Sequence, residues 1–165
     1  MFEQDQKLRQ TAFVDGFWNV DVDERNTARL KDLISWFGWP TKSLVGAQAA
    51  SAAWLLTQHA DHDVAFQQNA LKLMRQARKA RPSDVALPDI AQLTDRVLIN
   101  CGQPQLFGTQ FIKKGKTKVL QPLKDPRRVN QRRAKFELPP LPRKTTAAKK
   151  KPTARKKKKR SAKPR

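Results

Sequence analysis

Gln58, His59, Asp61, His62 and Asp63 crowd into six consecutive positions, the densest run of groups in this chain able to move a proton, pair with an anion or hold a metal. Histidine titrates near neutrality, so His59 beside a carboxylate suits general-base work. Asp95, Arg96, Thr109 and Gln110 stand further along and supply other parts of such a site. If the segments carrying them pack together, His59 acts as base, a carboxylate orients it, and Arg96 and Gln110 bind an anion. The catalytic candidates are therefore His59, Asp61, Asp95, Arg96 and Gln110, with Gln58, Thr109 and Trp39 as substrate-binding candidates. The same residues also read as folding devices. Asp61 and Asp63 are ordinary helix caps, His59 at a helix C-terminus is favoured by the dipole, and Asp95 with Arg96 makes a structural ion pair.

His59 and His62 are the metal-ligand candidates, but they straddle a predicted helix break, and no cysteine or third histidine joins them. That spacing matches no established zinc pattern, so no metal and no cofactor is expected. The chain has no glycine-rich phosphate loop, no Gly-x-Ser-x-Gly elbow and no paired cysteines. Its one cysteine, Cys101, falls on an apolar helix face and reads as core. Trp18, Trp36, Trp39 and Trp54 read as core residues, with Trp18 and Trp39, in turns, as candidates for stacking on a ligand.

Hydrophobic periodicity supplies the elements that must position these groups. Residues 2–13 form a short amphipathic helix anchored by Phe2, Leu8 and Phe13. Leu30, Leu33, Ile34 and Phe37 recur at the spacing of one buried helix face over 24–37, and Gly38 takes the left-handed stop. Residues 44–59 are apolar nearly all round, which predicts a central helix covered by its neighbours. A third strong helix covers 64–79, capped by Asp61 or Asp63, and a fourth covers 88–100 with Gly102 at its end. Residues 107–112 and 118–120 read as two short strands of a hairpin. Asp125-Pro126 caps and opens a last short helix to about 135, and 138–142 is extended. The expected fold is mainly α: a compact domain of four to five helices with a small β-hairpin over 1–142, followed by a disordered basic tail over 143–165.

That division follows the charge. The chain carries a formal net charge of +21, yet residues 1–112 hold 12 basic and 12 acidic side chains and are neutral. Residues 113–142 hold 10 basic and 2 acidic, and residues 143–165 hold 13 basic and none acidic. Apart from two prolines the tail holds no aliphatic residue larger than alanine, so burial cannot offset the entropy of ordering it. A polycation without interleaved aromatics binds phosphates through counterion release and reads no bases. The nucleic-acid-binding candidates are Lys113, Lys114, Lys116, Lys118 and Arg128, then Lys149, Lys150, Lys151, Arg155, Lys156, Lys157, Lys158, Lys159 and Arg160. Arg128, Arg132 and Lys135 also fall on one face of the last helix.

Four blocks of the body are familiar together: NTARLKDLISWFGWP (26–40), SLVGAQAASAAWLLTQHADHDVAFQ (43–67), LTDRVLINCGQPQLFGTQF (93–111) and RRAKFELPPL (132–141). They resemble a family of bacterial domains of unknown function that share Gly-Trp-Pro, Gln-His-Ala-Asp and Gly-Thr-Gln segments. The resemblance spans roughly residues 20–142 and implies a self-contained domain without naming an activity. The chain departs from that pattern at Leu106-Phe107, where a tyrosine is expected before the glycine. The tail resembles those of linker histones in composition.

The leading expectation is sequence-tolerant association with nucleic acid, DNA or RNA, through the basic end. The alternatives are an enzyme using the polar pocket around His59 and a protein-interaction module whose partner the sequence does not name. The N-terminus lacks the pattern of a secretory signal and no stretch is long enough to span a bilayer, so a cytoplasmic or nucleoid-associated location is expected.

Overall fold

The computed structural model describes residues 2–15, 20–115 and 117–142, with the backbone alone for residues 11–15 and 20. Trp18, Lys116 and the tail from Arg143 onward, with all its candidate phosphate contacts, lie outside the described residues, as does the side chain of Phe13.

Six α-helices and one antiparallel hairpin make up the described chain: α1 (Phe2–Asp15), α2 (Val20–Phe37), α3 (Lys42–His59), α4 (Val64–Ala80), α5 (Leu87–Asn100), β1 (Phe111–Lys114), β2 (Thr117–Leu120) and α6 (Val129–Ala134). Short 3-10 turns at Pro82–Asp84 and Pro126–Arg128 precede α5 and α6. The domain is mainly α with a small hairpin, as the periodicity implies. No described helix is long and apolar enough to cross a membrane.

The core forms where α2 to α5 meet, around Leu30, Ile34, Leu56, Phe66, Met74, Leu93 and Val97. Gly38 ends α2 at φ +75°, and its N–H bonds the Ile34 carbonyl at 2.9 Å. Asp63 caps α4, accepting the Phe66 N–H at 2.9 Å.

The middle helix departs from expectation. The half of α3 from Lys42 to Ala49 is exposed, including Leu44 and Val45, and only from Ala50 onward does the helix enter the core. Gly46, at φ +81° and ψ +164°, breaks the helical backbone there. An apolar groove of about 420 Å³ opens between α2 and α3, lined by Phe2, Leu30, Leu33, Phe37, Leu44 and Leu56 among others. Phe37 and Trp36, both expected inside, are therefore exposed, at 69% and 64%. Trp36 lies under the guanidinium of Arg29 at 5.8 Å. Cys101 is also exposed rather than core, because the last residues of α5 run past its packed face; its sulfur accepts from Gln68 at 3.5 Å.

The expected strand over 107–112 begins only at Phe111. Asp95 on α5 takes up the N–H groups of Leu106, Phe107 and Thr109, which withdraws most of that backbone's donors from a ladder. Gly108 turns at φ +71°, and a Cβ there would stand 2.5 Å from Leu141 Cδ1. Asp125 does not cap the last helix with its side chain; it sits in the left-handed region at φ +45° and faces Arg128 at 3.4 Å.

Candidate functional site

The polar candidates fall into two networks. The first joins α5 to the loop after it. Arg96 forks onto Asp61, with Nε 2.7 Å from Oδ1 and Nη2 on Oδ2, and its Nη1 donates to Gln110 Oε1 at 3.2 Å. Asn100 donates to Asp61 at 2.8 Å and to Gln67 at 2.9 Å. Gln110 Nε2 donates to the Thr109 hydroxyl at 3.2 Å, which donates to Asp95 Oδ2 at 2.9 Å. Four of the five catalytic candidates, Asp61, Asp95, Arg96 and Gln110, thus share one chain of hydrogen bonds with Thr109. Burial alone would raise the pKa of Asp61, but hydrogen bonds from Arg96 and Asn100 and the Arg96 charge overcome it and hold the carboxyl below its ordinary range.

Its Asp61–Arg96 end reaches solvent, while its Asp95 end is sealed. Asp95 is fully buried and accepts four donors, three backbone N–H groups and the Thr109 hydroxyl. Arg133 is buried on the other side of the same loop, donating to the Phe107 carbonyl at 2.6 Å. Burial pulls its pKa down while the Asp95 charge pulls it back up. Gln105, also fully buried, imitates a strand: its side-chain amide accepts from Gln110 N at 2.8 Å and donates to Gln110 O at 2.9 Å. Phe107, where a tyrosine was expected, packs on Phe136 with ring centroids 4.5 Å apart. These groups shape a loop, and their bonding capacity is spent on one another.

His59 belongs to the second network, at the junction of α1, α2 and α3. Its Nδ1 lies 3.1 Å from Oδ2 of Asp5, a fully buried carboxylate on α1. Arg9, one turn along α1, forks onto both Asp5 oxygens at 3.2 and 3.3 Å and reaches Asp23 on α2. With Asp5 ionised, Nδ1 carries the imidazole proton and Nε2 keeps the lone pair. Burial and the Arg9 charge hold the His59 pKa below its ordinary value of 6.5, against the opposing pull of Asp5 and Asp23. The carboxylate that orients His59 is therefore Asp5, not Asp61 or Asp95.

An oxygen from each of Asp5 and Asp23 and a ring nitrogen of His59 lie within 4.8 Å of one another. His62 is not part of this group, and no other such trio occurs among the described residues. Arg9 already supplies positive charge to both carboxylates, so a metal would have to displace it.

The remaining binding candidates sit elsewhere. Trp39 is buried against the hydrophobic core and lines a small cavity with Lys42, Trp54, Asp84 and Asp89. Gln58 is buried too, and its Nε2 finds no partner. Asn26, one turn from Asp23 on α2, has a buried Nδ2 in the same condition. Asp5 and Arg9 lie in the polar run EQDQKLRQ, which shows no strong apolar stripe and did not draw attention in the sequence. The available signal was Asp5 and Arg9 four residues apart, on one helix face.

A third feature is electrostatic. Lys113 and Lys118 stand directly opposite in the β1–β2 register, on exposed strands. Beside the turn into α6 lies a concavity of about 550 Å³ lined by Leu106, Lys124, Asp125, Arg128, Gln131, Arg132 and Lys135. Arg128, Arg132 and Lys135 do share one face, as their spacing implies.

The model of a family of unknown function, DUF6624, matches residues 1–148. The chain belongs to that family. No curated protein and no solved structure matches it. The DUF6624 match begins at residue 1, so α1 with Asp5 and Arg9 lies inside the family domain, although the recognisable blocks began near residue 20. Both polar networks and the basic concavity are therefore features of the DUF6624 region, while most of the lysine-rich tail lies beyond it.

Proposed function

We propose that this chain associates with nucleic acid through its basic C-terminal end, without reading base sequence. The observation that carries the reading is the segregation of charge onto one exposed part of the fold. Between residues 113 and 142, seven basic side chains are exposed: Lys113, Lys114, Lys118, Lys124, Arg127, Arg128 and Lys135. The acidic residues of that stretch are Asp125 and Glu137 alone. Like charges set opposite one another on a ribbon repel, and a bound anion relieves that repulsion. Leu141 exchanges backbone hydrogen bonds with the Asn130 side chain on α6, and the sequence after it adds 13 further basic residues over 143–165.

The test is the salt dependence of duplex binding by the full chain. Replacing Lys156, Lys157, Lys158, Lys159 and Arg160 by glutamine should flatten the slope of log K against log salt by roughly 4, if all five engage phosphates. An unchanged slope, or no binding in dilute buffer, would remove the tail from the account.

A second reading, acid–base catalysis at His59, is favoured by one observation: the Asp5 contact that fixes the imidazole tautomer and leaves Nε2 as a base. His59→Gln with unchanged melting temperature and a lost cellular phenotype would support it. Loss of stability alone would assign His59 to the scaffold.

A further inference from the structure

We infer that the concavity beside α6 is a phosphate-binding site in which Arg132 is the fixed donor and Lys124, Arg128 and Lys135 form a cationic rim. The inference deepens the nucleic-acid reading and rests on it for the biological ligand; its chemistry rests on the geometry of Arg132.

Arg132 is held by backbone alone. Its Nε donates to the Leu106 carbonyl at 2.7 Å, and its Nη2 donates to the carbonyls of Lys124 and Asp125, the latter at 3.0 Å. Carbonyls orient a guanidinium but do not neutralise it, and no carboxylate pairs with this one among the described residues. The three bonds occupy Nε and Nη2, which leaves the two Nη1 hydrogens for another acceptor. The side chain is half-buried, so it loses little further freedom when it binds. An immobilised, uncompensated guanidinium facing an open concavity suits a phosphate oxygen.

The rim agrees in sign. Lys124 and Lys135 are exposed on either side of Arg132 in the sequence, and Arg128 is exposed one turn before it. The single acidic liner, Asp125, faces Arg128 at 3.4 Å and offsets one of the four cations. At about 550 Å³ the space holds more than a bare phosphate, so a sugar-phosphate unit fits.

Titration of the full chain with inorganic phosphate at low ionic strength, read by calorimetry and by the Arg132 Nε–H resonance, tests the inference. Saturable binding that moves this resonance is expected. Lys124→Ala with Lys135→Ala should weaken phosphate binding roughly tenfold. Lys72→Ala with Lys79→Ala removes equal charge from the exposed face of α4 and should leave phosphate affinity within about twofold. Equal losses in the two variants would reveal diffuse attraction and overturn the site, as would the absence of saturation in the unaltered chain. Duplex binding measured on the same variants separates the two ideas. Phosphate bound without duplex sinks the nucleic-acid reading and leaves the site standing; duplex bound with no saturable phosphate sinks the site alone.

Discussion

Asp5 and Asp95 are both sealed from solvent, yet they stand in networks of different kinds. The partners of Asp95 are the backbone N–H groups of Leu106, Phe107 and Thr109 and one hydroxyl, groups that do not titrate in the physiological range. The partners of Asp5 are side chains, Gln6, Arg9 and His59, drawn from two helices. A carboxylate bonded to backbone fixes a loop, since its donors have nowhere else to go. One bonded to an imidazole and a guanidinium sets a proton's position and can exchange partners. The region around Asp95 is held by backbone, and the region around Asp5 by side chains that carry or exchange charge.

Asp95→Ala should be the most damaging change, costing ~3–5 kcal/mol, because it strands four donors and leaves the buried Arg133 without its nearby counter-charge. Urea denaturation measures it, and a cost below about 1 kcal/mol would break the comparison. Gly108→Ala should cost about 1–3 kcal/mol, since it combines a left-handed backbone with a clash against Leu141. Asp5→Asn should cost less than Asp95→Ala, about 1–2 kcal/mol, because Arg9 keeps Asp23 and the amide still fills the space. If the two aspartate variants were equally unstable, Asp5 too would be scaffold.

The smallest effects are in pH. His59 has a folded pKa below its unfolded value of about 6.5, so the unfolded chain binds the proton more readily. Its contribution to stability is complete above that value and is lost as pH falls through the folded pKa. His59→Gln should remove this part of the pH dependence of unfolding. In Asp5→Asn the imidazole should titrate lower still, since one of the two charges that raise its pKa is gone. An upward shift in the His59 proton resonances against pH would contradict the assigned electrostatics. Asp61 behaves in the same sense at lower pH, stabilising above its ordinary carboxylate range and failing as acid protonates it.

Much of this fold was legible in the chain. The strong helices begin and end within a few residues of their periodic patterns, because apolar spacing, Asp63 and Gly38 act locally. The hairpin was legible as a hairpin, but its first strand was read too long. Asp95 on α5, not a local preference, withdrew the N–H groups of Leu106, Phe107 and Thr109. The exposed half of α3 was misread for a related reason: its composition allows burial, but none of the described residues covers that half. Of the candidate site, sequence named His59 and the Asp61, Arg96 and Gln110 cluster, and missed Asp5, Arg9 and Asp23.

The sequence by itself determined the helical class, the stops and the sorting of charge into a neutral body and a basic end. Those depend on residue type and on spacing within a few positions, where the energies are local. Only the tertiary structure decided which carboxylate meets which cation. His59 meets Asp5 across 54 positions, and Arg96 meets Asp61 across 35. Such pairings depend on how helices cross, and helix crossing is set by the shape of packed side chains rather than by any short run of letters.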